Sequence, residues 1–537
     1  MRFKNHFLQT RVTFLSHLSP PSNLRKAIYF SSCQTSSSDW ARHNQLFQRH
    51  PKFRLLEEQC QKKPHLLQHL VSYVFVSGLH RNAFVISRLL YVSLIDPGAN
   101  PELGVRIFHS TENPNIFSWN TAIRFFAGSD PPTSLRYYVE MLRRDSFPDR
   151  YTFTFLLQAC GAVFDLGLVQ QVHSHVLKLV PAQCSFVANS LLGAHLACGS
   201  ELDARLVFDE MPERDVVTWT CMISGLVSLS NFVGAFLTFR DLILDNSQTR
   251  PNPITIISTM SACAGLGCTN LTKCMHSYLE KSGWLELNPS IVNSLMDAYA
   301  KCGDVCYFRK VFDSIRISER DLYSWTSIIS GYAMLGLGPE ALDMFLQMEK
   351  ERKFIPDSVT FVAVLSGCAH SGLVKEGLLV FESMVTKYKI KPDLKHYGCV
   401  VDLLARVGLL KRAYGIVESM PMEPNLVVLG SLLNGCRLHN NLEMGRDVSR
   451  KIETLSERGG ARVLLSNMYA NERQWGEVMS IRKEAREMMT KKKGKPPGRS
   501  WIEIKDEVHE FVARNRSDSE AMELHVVLEG LEKLSRL

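Results

Sequence analysis

Across 537 residues, no uninterrupted apolar run reaches the roughly 18 residues that a bilayer-crossing helix requires. A membrane-spanning protein is therefore not expected. A content of 45% hydrophobic and 22% charged residues is that of an ordinary folded soluble chain. No CxxC spacing occurs among the 14 cysteines; the nearest approaches are Cys263 with Cys268 and Cys302 with Cys306. This argues against metal ligation and against a disulfide framework. Cys160, Cys263 and Cys368 sit instead in the apolar runs LLQAC, MSAC and LSGC, where a reduced thiol packs as a small hydrophobe. Acidic residues are missing from the first 38 positions, the first being Asp39.

That acid-free segment carries Arg2, Lys4, Arg11, Arg25 and Lys26 and ends in a serine cluster, Ser31, Ser32, Ser36, Ser37 and Ser38. It reads as an organelle transit peptide over 1–38, with a linker over 39–47. Basic residues at the very start suit a mitochondrial presequence better than a plastid one, so the mitochondrion is expected and the chloroplast is the alternative. The same segment weakens any argument from charge. The net charge is +8, and without those five cations the remainder carries only +3.

What the sequence does contain is internal repetition. SWNTAIRFFA from Ser118, TWTCMISGLV from Thr218 and SWTSIISGYA from Ser324 align about 100 residues apart. Between them recur FTFLLQACGAVFDLG from Phe153, IISTMSACAGLG from Ile256 and FVAVLSGCAHSG from Phe361. A third pattern begins at Ala188 and again at Val292. Each repeat has the periodicity of two helices. From Leu322, Trp325 and Ile329 share one face, Gly336 and Gly338 interrupt, and Pro339 suits a new first turn. Ala341, Leu342, Phe345 and Met348 then form one apolar stripe. A single hairpin cannot bury both its faces, so neighbours must stack into a solenoid.

The three-repeat cycle, with CGSELDARLVFDEMPERD in its short member and SGLVKEGLLVFESM in a longer one, resembles plant pentatricopeptide-repeat proteins of the PLS subclass, E type. The resemblance implies an all-α fold: a right-handed superhelical solenoid of stacked helix-turn-helix repeats with a small C-terminal hairpin-like extension. About eleven repeats would fill 48–425, bounded at 82, 115, 149, 184, 215, 252, 288, 321, 357, 393 and 425. GSLLNGCRLHNNLEMG and VLLSNMYANERQWGEVMSIRKEAR resemble the E1 motif at 426–459 and the E2 motif at 460–495. PGRSWIEIKDEVHEF resembles a partial E+ extension over 496–537. There the alternation of Trp501, Ile502 and Ile504, running into Val508 and Phe511, predicts a short hairpin.

The resemblance further implies single-stranded RNA as partner, read one base per repeat. Base edges would meet the fifth and last residues of each repeat: Ser87 with Asn115, Asn120 with Asp149, Asn189 with Asp215, Thr220 with Asn252, Asn293 with Asp321, and Thr326 with Asp357. Phe117, Phe186, Val217 and Tyr323, at the second place, would clamp the base rings, with Ser290 an atypical member. The family's pairing rule then gives A-U-n-U-A-n-U-G, running 5′ to 3′ along the chain. Thr154 with Cys184 and Ile257 with Asn288 fit no rule. Residues of this kind also cap helices, and Asp215 and Asp321 end ERD segments where a cap would be ordinary.

Proteins of this subclass act in organellar C-to-U editing. The deaminase signature HxE followed by CxxC is absent, since His509 and Glu510 are adjacent. The expectation is a non-enzymatic specificity factor without cofactor, recruiting a DYW-type deaminase in trans through 426–537. An RNA stabilisation or splicing factor is the alternative in the same class, and a helical protein-interaction scaffold the alternative in another. Gly494–Gly498 is no phosphate loop, because its prolines lack amide donors.

Overall fold

The structure is a computed structural model that describes residues 51–62, 64–96, 100–180, 184–245, 249–351, 353–455, 460–490, 499–504 and 507–512. The expected transit peptide, its linker, the lysines at 491–495 and everything after Val512 lie outside the described residues. The chain divides into two compact halves, 1–258 and 259–537.

In the first half, helical hairpins follow one another, as in Ile116–Ser129 with Pro131–Arg143, Ser185–Ala197 with Glu201–Glu210, and Val216–Ser228 with Phe232–Leu244. The second half continues with pairs such as Leu322–Met334 with Gly338–Glu351, and Leu394–Arg406 with Leu410–Ser419. In each half first helices of successive repeats pack side by side, as Ile116–Ser129 with Arg150–Val163 and Leu322–Met334 with Ser358–Ser371, and second helices pack on their own first helices, as Pro131–Arg143 on Ile116–Ser129 and Gly338–Glu351 on Leu322–Met334. Helix pairs also occupy the region expected to hold the E motifs, Leu426–Leu438 with Leu442–Leu455 and Gly460–Asn471 with Trp475–Thr490. Beyond them an antiparallel pair of strands, Arg499–Ile504 and Glu507–Val512, sets Trp501 opposite Glu510 and Ile502 opposite His509. This is the hairpin that the alternating pattern predicts. No helix among the described residues is long and apolar enough to cross a membrane.

Local chemistry sets the breaks. Most repeats end on a residue whose side chain caps the next first helix: Asn115, Asp149, Asp215, Asp321, Asp357, Asp393 and Asn425 all accept backbone N–H groups of that helix's first turn. Within the repeat from Leu322, Gly336 turns the chain at φ +75°, a conformation disfavoured for residues with a Cβ. Gly338 differs from the expected breaker. It opens the second helix, and a Cβ there would lie 2.5 Å from the Gly367 carbonyl oxygen, so close packing explains it.

The cores are aromatic at their seams. A phenylalanine from one repeat meets the tryptophan of the next edge-on: Phe108 with Trp119 at 4.9 Å, Phe208 with Trp219 at 5.0 Å, and Phe312 with Trp325 at 5.1 Å between centroids. Arg214 and Arg320, from the ERD segments, lie over the Phe208 and Phe312 rings at 4.7 and 4.4 Å. The Arg214 side chain also donates to the Phe208 carbonyl at 2.9 Å, tying off the end of its helix. On the second helix from Gly338, Ala341, Met344, Phe345 and Met348 are buried, whereas Leu342 is only half-buried. The expected stripe is thus rotated slightly towards Met344. The described cysteines are free thiols. Cys160, Cys263 and Cys368 are buried, and burial pushes the Cys160 thiol up to about 12. Cys274 and Cys306 depart from that pattern, lying exposed on second helices.

Candidate functional site

The first helix of each repeat presents one edge on which the second and fifth residues stand a turn apart. The capping residue of the following helix sits beside the fifth, so residues about 30 positions apart in sequence meet. Asn120 Nδ2 donates to Asp149 Oδ1 at 3.0 Å. Asn189 likewise bonds the Asp215 carboxylate. Thr220 and Thr326 reach the neighbouring repeat through hydroxyl contacts with Thr255 at 2.6 Å and Thr360 at 2.9 Å. Asn293 and Asp321 make no direct bond among the described residues, and the Asn189 and Asn293 Oδ1 atoms are buried without a partner there. Ser87 is buried and donates to the Phe84 carbonyl at 2.8 Å, while Asn115 Nδ2 donates to the Ala83 carbonyl at 3.3 Å.

The last residues do cap helices, as their sequence context allows. The caps use one atom of each side chain. Asp215 Oδ1 accepts the Thr218 amide and hydroxyl, both at 2.8 Å, and Asp357 Oδ1 accepts the same pair from Thr360 at 2.8 Å each. Asp321 Oδ1 holds Ser324 in the same way, and Asn252 Oδ1 holds Thr255. The second oxygen, or the amide nitrogen of Asn252, takes no part in these bonds. Burial pushes the Asp215 carboxyl up, but bonds from Thr218, Asn189 and the Val217 amide outweigh it and hold it below the ordinary carboxylate value.

The second-place side chains are exposed despite their apolar character. Phe117 is 43% and Tyr323 73% exposed, and Phe186 and Val217 are exposed as well. Tyr151, Ile254 and Val359, at the same place in other repeats, are equally open, and sequence reading passed over them. Tyr151 meets Phe186 edge-on at 5.7 Å, so successive second-place rings lie within reach of each other. Ser290 is also exposed. In the repeats without a readable pair the Thr154 hydroxyl bonds back to the Arg150 carbonyl at 2.9 Å, as Thr220 does to Val216, and Asn288 caps through the Ser290 amide, but Cys184 makes no side-chain cap.

Sequence reading also missed the buried hydroxyls at the third place, Ser118, Thr152, Thr218, Thr255, Ser324 and Thr360. Their signal is a polar residue three positions after each capping residue, inside an otherwise apolar helix.

Comparison with known proteins agrees with this architecture. The family described as "PPR repeat" matches residues 186–216, 217–246 and 359–388, "PPR repeat family" matches 320–370, and "E motif" matches 439–503. Pentatricopeptide repeat-containing protein At4g21065 of Arabidopsis thaliana is 40% identical over 430 residues, covering 79% of this chain and 71% of that protein. Putative pentatricopeptide repeat-containing protein At3g28640, from the same plant, is 34% identical across 85% of this chain and 92% of its own. A third, At1g59720, chloroplastic/mitochondrial, also from Arabidopsis thaliana, is 37% identical over 80% and 68%. Among solved structures, the pentatricopeptide repeat protein PPR10 in complex with an 18-nt psaJ RNA element aligns with a TM-score of 0.58 at 18% identity. That alignment covers 81% of this chain and 67% of PPR10, a likeness of fold. The chain belongs to the pentatricopeptide-repeat family and is an E-type member of it.

Proposed function

We propose that the protein binds single-stranded RNA in a sequence-specific manner, one base per repeat, and is a site-recognition factor for organellar C-to-U editing. The observation that carries this is the recurrence, from repeat to repeat, of an exposed apolar second-place side chain beside a polar pair built across the repeat boundary. Rings such as Tyr323 offer stacking surface to an unpaired base, and the pair offers donors and acceptors to its Watson–Crick edge. Thr326 with the Asp357 carboxylate suits the N1–H and N2–H donors of guanine, and Thr220 with the Asn252 amide suits adenine. An amide N–H beside a carboxylate, as at Asn120 with Asp149, suits uracil. The proposed core site is A-U-n-U-A-n-U-G. A family member of like fold, PPR10, is described as a complex with RNA.

The E motif at 439–503 supports the editing reading, with residues 426–537 engaging a deaminase in trans. A relative named chloroplastic/mitochondrial supports an organellar setting, and the basic N-terminal segment favours the mitochondrion. The first test is equilibrium binding of the purified chain to an A-U-n-U-A-n-U-G oligonucleotide and to a scrambled one. Equal affinity refutes base reading and favours a protein scaffold. Sequencing organelle RNA from a plant line lacking the protein then separates the roles. An unedited cytidine just 3′ of a matching site is expected, whereas retained introns or lost transcripts refute the editing assignment.

A further inference from the structure

We infer that the buried hydroxyl at the third place of each following repeat decides which hydrogen-bonding face the preceding pair turns towards RNA. Thr360 serves the pair Thr326 and Asp357, and Thr255 serves the pair Thr220 and Asn252; both are positioning residues for base specificity. The inference rests on the RNA-reading function proposed above and adds to it a residue outside the pair.

A threonine hydroxyl has one proton to give. Thr360 Oγ1 lies 2.8 Å from Asp357 Oδ1, and a carboxylate can only accept, so the Thr360 proton is spent there. Thr360 Oγ1 also lies 2.9 Å from Thr326 Oγ1, so the proton between those two oxygens belongs to Thr326. Thr326 is left with lone pairs alone, beside a second Asp357 oxygen that also accepts only. Two adjacent acceptors fit guanine, whose N1–H and N2–H both donate.

At the other pair the protons are placed differently. Asn252 Oδ1 accepts the Thr255 amide at 2.9 Å and its hydroxyl at 3.0 Å, which fixes the amide with its nitrogen on the other side. The Thr220 hydroxyl lies 2.6 Å from Thr255 and 2.7 Å from the Val216 carbonyl, and its proton stays inside the protein with either partner. An acceptor beside an N–H donor fits adenine, through N6–H and N1. At Asn120 the third-place hydroxyl, Thr152, has two acceptors, the amide oxygen at 2.6 Å and Asp149 Oδ1 at 3.0 Å; its proton goes to the nearer amide oxygen and holds the nitrogen towards Asp149.

Sequence supplies an independent observation. The readable pairs are followed by Ser118, Thr152, Thr218, Thr255, Ser324 and Thr360, all buried. The two repeats whose pairs fit no rule are followed by Val187 and Ile291. Capping alone does not require the hydroxyl, since Asn288 caps its helix with Ile291 at that place.

The test uses the full chain and four oligonucleotides that differ only at the base facing the repeat 322–357. The unsubstituted protein is expected to prefer guanine over adenine by about tenfold. Thr360→Val frees the Thr326 proton to point outward, and the preference should fall to within about twofold, while selectivity at the base facing 216–252 is unchanged. Thr360→Ser should restore it. Thr360→Ala, which also lacks the hydroxyl, gives the same test if Thr360→Val does not fold. An unchanged guanine preference in Thr360→Val, or an equal loss for all four bases, overturns the inference. Absence of any preference in the unsubstituted protein overturns the RNA reading beneath it.

Discussion

Replacing Asp357 by Asn separates the two jobs that this side chain performs. As a cap, Asp357 Oδ1 receives the Thr360 amide and hydroxyl at 2.8 Å each. Asn caps about as well as Asp, and the lost charge near the helix N-terminus is worth roughly 0.3–1 kcal/mol, so Asp357→Asn should cost less than about 1 kcal/mol. Asp357→Ala removes the cap and the charge together and should cost about 1–2 kcal/mol. At the base, Asn turns the outward oxygen into an N–H donor. Guanine N–H would then face a donor, a mismatch of about 1–3 kcal/mol, or roughly 5- to 150-fold in affinity. Adenine, with N1 as acceptor, gains what guanine loses, so the preference should invert. Fluorescence anisotropy with the four oligonucleotides, run beside urea denaturation, measures both effects. If Asp357→Asn keeps the guanine preference while Asp357→Ala only destabilises, the residue is a cap and nothing more, and base reading at that place is refuted.

Other consequences follow from the same geometry. Tyr323→Ala should lower RNA affinity by about 1–3 kcal/mol with almost no change in denaturation midpoint, because the ring is exposed and stacks only on a bound base. Gly435→Ala should destabilise the second half by about 1–3 kcal/mol, since the added Cβ would fall 2.5 Å from Ala405 Cβ and 2.9 Å from its carbonyl oxygen; an unchanged urea transition would show the helices can part without cost. The Asp215 carboxyl is held below its ordinary value, so the stability it contributes is fully present above the unfolded pKa near about 3.9 and is lost as pH falls through the lower folded value. Thr218→Val should move the Asp215 titration upward by NMR; a fixed titration would mean that the Thr218 hydroxyl is not among its causes.

The repeating hairpins were legible because their causes are local. Apolar spacing, a glycine turn and a capping residue recur within each repeat, and the edge of exposed second-place side chains follows from the same spacing. The pairs were legible only through repetition and family resemblance, since a single Asn or Asp at a helix start is an ordinary cap. The third-place hydroxyls escaped notice because each looks like a tolerated polar residue until its partner is seen. Thr255 meets Thr220, and Thr360 meets Thr326, across a repeat boundary. Rotation of a helix by a fraction of a turn is likewise set by the neighbouring surface, which is why Met344 took the buried place expected for Leu342.

Because one residue both closes a repeat and starts the next helix, the vocabulary at that place is bounded by helix physics. Asn, Asp, Ser and Thr are the good caps. They are also short side chains that carry a donor or acceptor on a stiff stem. If these residues read bases as proposed, a mutation from one to another would change what is recognised without unfolding the array, whereas most other changes would cost a helix start. Retargeting would then be a walk among near-isoenergetic spellings, in which drift alters meaning while stability scarcely registers it.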